Sequence, residues 1–185
     1  MDRETGNRRS EAIAMQGLAQ VLLAEGGPDQ ALDLLRRAIA LHQEVKSRVF
    51  EVYALTELAE LLLLLDRRPE AGAAAMAAID LAREIDEPDA IPIANIALAA
   101  LARGDGDLDE AERLLDAAEE GMKGEVSADG VRVLVERGQL ARARGASPSG
   151  LVLRAKEQLA AMELPPESPL GRLVAELEGG SQKRR

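Results

Sequence analysis

Apolar residues recur along this chain at helical spacing, and at one place they close up entirely. Leu61 to Leu65 form an unbroken run of leucines, preceded by Glu57 and Glu60 and stopped by Asp66-Arg67-Arg68-Pro69. A bilayer span needs about 20 apolar residues, so this run is too short to cross one. On a helix, five consecutive residues point round the whole circumference, which predicts a helix covered on nearly every side. The cover has to come from elsewhere in the chain.

Sliding the sequence by 40 residues shows where. Ala14, Ala54 and Ala94 coincide, as do Leu18, Leu58 and Leu98, and Ala19, Ala59 and Ala99. Further along, Ala31, Ala71 and Ala111 coincide, then Ala38, Ala78 and Ala118, while Val21, Leu61 and Leu101 match in kind. With 33 alanines among 185 residues, roughly 0.2 all-alanine columns would arise by chance, so the four present are an internal repeat, the signature of a stacked array. Punctuation repeats as well. Gly26-Gly27, Asp66-Arg67-Arg68 and Gly104-Asp105-Gly106 break a first helical stretch. Asp29, Pro69 and Asp109 then suit the first turn of a second, because Pro at the first helical position forfeits no hydrogen bond and Asp favours the positive helix end. The predicted unit is helix, tight turn, helix, with each pair antiparallel.

Composition strengthens the helical reading. Alanine and leucine dominate, Tyr53 and Phe50 are the only aromatic side chains, and there is no cysteine. Ala and Leu are cheap to hold in a helix, while the β-branched and aromatic residues that favour strands are scarce. Without cysteine there are no disulfides, thiolate nucleophiles or Cys-ligated zinc. The opening MDRETGNRRS has charges but no apolar stretch behind it, so no secretory signal is read there and a cytoplasmic location is expected.

The residues that repeat also carry a resemblance. Leu18, Ala19, Gly26, Ala31 and Ala38 resemble the small-residue core of the tetratricopeptide repeat. The same pattern recurs on Leu58, Ala59, Ala71 and Ala78, and on Leu98, Ala99, Gly106, Ala111 and Ala118. The period is about six residues longer than the family's usual 34, and Leu or Ala stands where the family carries large aromatics. Longer periods of this kind resemble repeats in bacterial signalling and regulatory proteins. The resemblance implies an all-α, right-handed solenoid of antiparallel helix pairs. Its expected parts are a flexible lead at 1–9, one array over 10–178 and a tail at 179–185. Within the array the repeats are placed at 10–48, 49–88 and 89–125, with a degenerate fourth at 126–164. A cap at 168–178 presents Leu170, Leu173, Val174 and Leu177 as one apolar stripe.

Candidate chemistry is sparse. His42, the only histidine, is read as a partly exposed residue near a helix end, and a lone His without Cys offers no zinc site. Asp105, Asp107 and Asp109 imitate the start of a calcium loop, but Glu110 stands where that loop needs Gly and Asp116 where it needs Glu. No phosphate loop or nucleophile elbow is present. The expectation is a protein that is not an enzyme and has no cofactor or metal.

Charge is unevenly spread within the net −10. Residues 1–50 hold seven acids and seven bases, residues 51–125 nineteen acids and six bases, and residues 126–185 seven acids and ten bases. Such an acidic middle repels nucleic-acid phosphate and no aromatic-plus-basic surface exists to stack bases, so no nucleic-acid or membrane partner is expected. The tetratricopeptide resemblance implies instead a concave groove lined by first helices. Position by position it falls on Gln16, Gln20, Leu23, Thr56, Glu57, Glu60, Leu63, Ile93, Ile96, Ala97, Ala100 and Arg103. These positions lack the Lys, Asn and Arg that grip chaperone tails in one subfamily. The function read from this is a non-catalytic interaction scaffold or sensing module. Its partner would be a protein segment, either basic or an amphipathic helix, with Leu23 and Leu63 as apolar groove contacts. The alternatives are a homo-oligomerisation module forming a homodimer, a small acidic secretion-type chaperone, and the ligand-gated arm of a larger regulator.

Overall fold

The computed structural model describes residues 3–122, 124 and 126–179, with side chains from residue 6 onward. Its helices are α1 (Arg3–Ala24), α2 (Pro28–Glu44), α3 (Arg48–Leu64), α4 (Arg68–Glu84), α5 (Ile91–Asp105), α6 (Leu108–Gly121), α7 (Ala128–Ala143), α8 (Ser149–Ala161) and α9 (Pro169–Gly179), with a 3-10 turn at Pro88–Ala90 before α5. Consecutive helices pair, and the fold is an all-α, tetratricopeptide-like helical solenoid. Residues 3–9, read above as a flexible lead, are helical, and Arg8 within them pairs with Glu44 at the end of α2. Residues 180–185 of the expected tail lie outside the described residues.

The corners show how the sequence spaces its helices. After α1 the chain closes with Gly26 N–H donating to Leu23 O and Gly27 N–H to Leu22 O. The same double closure recurs at Lys46-Ser47, Asp66-Arg67, Asp86-Glu87 and Gly106-Asp107. Each closure needs a left-handed residue, and φ is +85° at Gly26, +53° at Lys46, +55° at Asp66, +58° at Asp86 and +85° at Gly106. This is the glycine-type helix stop in which two orphan carbonyls are satisfied by the next two N–H groups. The stops fall 20 residues apart, so two helices fill each 40-residue period. The next such closures are at Gly145 and Glu163, out of step with the first five, and there the sequence period has faded too.

The described residues divide into two compact units, Met1–Ala97 and Leu98–Arg185, and α5 runs across the division. In the first unit α1 packs on α2, α2 on α3 and α3 on α4. The repeated alanines are at the contacts: Ala19, Ala31, Ala38, Ala54, Ala59, Ala71 and Ala78 are all buried. Small side chains allow close helix approach, which is why these columns stay alanine. The leucine run of α3 is mostly covered, as its pattern requires. Leu61 and Leu62 are buried and Leu63 and Leu65 half-buried, whereas Leu64 is 67% exposed.

In the second unit α6 packs on α7, α7 on α8, and α9 on both α7 and α8. Val131, Leu134, Val135, Val152, Ala155, Leu159, Val174 and Leu177 form its core. A Cβ on Gly138 would lie 2.3 Å from Leu177, so α9 seats its leucine in space that α7 leaves vacant. Val174 and Leu177 of the predicted cap stripe are buried, but Leu173 is not.

Two outcomes follow from this packing. Ala71→Leu overpacks a fully buried contact and should lower stability by about 1–3 kcal/mol in urea unfolding. At the corners, Asp66→Gly relieves a left-handed aspartate and should add about 0.5–1 kcal/mol, while Gly106→Ala should remove about 1 kcal/mol. Equal stability of the Asp66 and Gly106 variants would break the link between helix stops and left-handed residues.

Candidate functional site

The 40-residue register sorts the expected groove residues by what surrounds them. Gln16, Thr56 and Ile96 share one column, and all three are buried. That column points into the helix pairs and its side chains are not free to meet a partner. Gln16 contacts His42, and the Thr56 hydroxyl donates to the carbonyl of Tyr53 at 2.7 Å. Ala97 is buried as well. The next columns are open. Gln20 is exposed and Glu60 and Ala100 half-buried; Leu23, Leu63 and Arg103 are all half-buried, as are Glu57 and Ile93.

Within the first unit, the Gln20 amide nitrogen donates to Glu57 Oε1 at 3.1 Å, joining α1 and α3 along their open stripes. Leu23 follows Gln20 by three residues and Leu63 follows Glu60 by three, so each lies one helical turn further along its stripe. Polar groups thus stand at one end of this strip and half-exposed leucines at the other. Tyr53, one turn before Glu57, donates to Glu87 Oε1 at 3.2 Å.

Within the second unit, the expected groove cation is already engaged. Arg103 directs Nε and Nη2 to the same oxygen of Glu136, both at 3.1 Å. Burial raises the Glu136 carboxyl above its ordinary range, and Arg103 opposes that rise by charge and hydrogen bonding. Arg137 lies between Asp116 at 2.6 Å and Glu119 at 2.7 Å. Asp107, one of the acids that imitate a calcium loop, instead caps α6 by accepting from Glu110 N–H at 3.1 Å.

The residue that sequence reading misplaces is His42. Its helix-end position predicts partial exposure, and it is fully buried. Its Nε2 lies 2.8 Å from Gln16 Oε1, which can only accept, so Nε2 carries the proton. The ring stacks on Phe50 with centroids 5.7 Å apart, and Nδ1 is buried without a hydrogen-bond partner among the described residues. Burial holds the imidazole below its ordinary value of 6.5, with Glu51 opposing and Arg9 reinforcing that shift. The signal was present in the register. His42 coincides with Ala82, which is also fully buried, so the column is a core position.

No protein-family model matches the chain, and no curated protein matches it. Solved structures do. BtubC (BKLC) from P. vanneervenii superposes with a TM-score of 0.63 at 20% identity, covering 82% of this chain and 64% of that one. The kinesin light chain nearly identical TPR-like repeats of Podosopora anserina superpose with a TM-score of 0.59 at 18% identity, covering 95% of this chain and 98% of that one. A variant form of those same repeats gives 0.59 at 19% identity, covering 95% and 89%. The chain therefore spans less than two thirds of BtubC, and its likeness to all three is one of fold: tetratricopeptide-like helical repeats.

The buried imidazole sets a pH dependence. Its folded value is depressed, so on acidification the unfolded chain takes up the proton first. Stability is complete above the ordinary value of 6.5 and falls as pH drops through the lower folded value. Thermal melts should show Tm declining below that point, and His42→Gln should abolish the decline. Glu136 acts with the opposite sign, since a carboxyl raised in the fold is protonated first when folded. The variant should therefore show a flat or slightly rising Tm on mild acidification. An unchanged decline would remove His42 as its source.

Proposed function

We propose that this chain is a non-catalytic protein-interaction module, and that the α1–α3 strip of its first unit holds a basic, amphipathic segment of a partner. The observation that carries this reading is the Gln20–Glu57 hydrogen bond, which aligns the open columns of two first helices. Along that strip Leu23 and Leu63 supply half-exposed aliphatic contacts, and Glu57 and Glu60 supply negative charge. Aliphatic centre and charged rim are the ordinary composition of a helix-binding groove. Residues 1–97 hold seventeen acids and ten bases, so the unit favours Lys and Arg on its partner. Tetratricopeptide-like folds generally serve protein interaction, which agrees with this reading. Gln16, Thr56, Ile96 and Ala97 take no part in the contact, because their side chains are buried.

Lys-rich amphipathic helical peptides, titrated by fluorescence anisotropy, test it. Glu60→Lys should weaken binding by about three- to tenfold, the effect of reversing one rim charge. Raising salt from 0.1 M to 1 M shortens the screening length from about 10 Å to about 3 Å and should weaken it further. Leu63→Gln should leave Tm nearly unchanged while lowering affinity. A loss above about 2 kcal/mol in stability would show instead that Leu63 belongs to the core.

A further inference from the structure

One face of α1 is uncovered, and it is not the face of the proposed groove. From Ala12 to Ala24 the helix carries no charged residue. Ala12, Gln16 and Ala19 are buried on one side of it. At 100° per residue, Ala14, Gly17, Leu18 and Val21 occupy the opposite arc. All four are exposed, Leu18 at 50% and Val21 at 52%. A helix apolar on both sides is one that expects cover on both sides.

The repeat shows that this arc is a packing face. Shifted by 40, Ala14 becomes Ala54 and Val21 becomes Leu61 on α3, and both are buried there, where α2 packs on α3. Gly17 adds an independent mark. A glycine amid a long helix weakens it relative to alanine, because more backbone freedom is lost on folding. A Cβ placed on Gly17 would meet nothing within 4 Å, so no close approach inside this chain requires the glycine. Gly138 shows the other case, its Cβ position being filled by Leu177 of α9.

We propose that this face docks a second copy of the chain, α1 against α1, across a two-fold axis near Gly17. Charge selects the occupant. Copies of a chain with net −10 repel, most strongly through residues 51–125, where acids exceed bases by nineteen to six. Residues 1–50 balance at seven of each, and the exposed arc itself is uncharged, so two copies meet there without that penalty. An isologous contact places the same patch on both partners. A stripe with glycine at its centre and Leu18 and Val21 beside it permits close helix approach. This does not rest on the groove reading, because Gln20, Leu23, Glu57 and Glu60 are not used.

Sedimentation equilibrium of the full chain, from micromolar to millimolar concentration, should show a monomer–dimer equilibrium. It should hold or tighten as salt rises, whereas peptide binding in the groove should weaken. Leu18→Glu with Val21→Glu should raise the dimer Kd more than about tenfold at unchanged helicity, since both side chains are half-exposed. Leu64→Glu, on exposed α3 surface, should leave it alone. The chain has no cysteine, so Gly17→Cys is a clean reporter and should form a disulfide-linked dimer under mild oxidation. A monomer at every concentration would overturn the proposal. So would a dimer indifferent to the Leu18/Val21 double variant, or one that leaves Gly17→Cys uncrosslinked.

Discussion

The left-handed residue that ends each helix is the constraint on which the rest of the first five helices depends. A helix can be closed within two residues only if one of them takes positive φ and turns its N–H back to the last carbonyls. Here that residue stands at 26, 46, 66, 86 and 106. Fixing the stop fixes helix length, and equal helix lengths keep each column of the repeat facing the same way. Once that is so, alanine at a column means close helix contact in every repeat, and a leucine run in a middle helix finds cover. Three of the five stops use Lys or Asp rather than Gly. Stability is surrendered at those corners, and buried alanine packing on both sides makes up for it.

The fold was legible because it is written redundantly. Four alanine columns, shared breaks and helix-favouring composition all specify one arrangement, and agreement across levels marks a foldable sequence. The corners that carry Lys46 and Asp86 were less legible, because only the surrounding hydrogen bonds reveal a left-handed Lys or Asp. Beyond Gly106 the stops lose their 20-residue spacing, and α7 and α8 were placed more from amphipathic pattern than from register. Gly138 illustrates the difficulty: its role belongs to Leu177, almost 40 residues later and on another helix.

The open surface was harder to read than the core, for a physical reason. First-helix positions three or four apart lie within 100° of each other, so a small error in rotation moves a residue from groove to interior. Gln16 and Gln20 show this. Both are polar and both suit a groove, yet one bonds His42 inside the repeat and the other bonds Glu57 at the surface. Polarity alone does not separate them. The register does, since Thr56 and Ile96 share Gln16's column, and a column that accepts isoleucine is a core column. His42 yields to the same test through Ala82.

By that test α1 is the helix whose sequence and surroundings disagree. On α3 the matching columns are covered, with Ala54 and Leu61 buried, while Leu18 and Val21 on α1 keep about half their surface. A solvated face would more economically carry the Glu, Lys and Arg that helices tolerate well, at little cost in helix propensity. Thirteen residues without a charge are not what a water-facing helix needs in a chain with 30% charged residues. The pattern is that of an internal helix, placed where only a second molecule can make it internal.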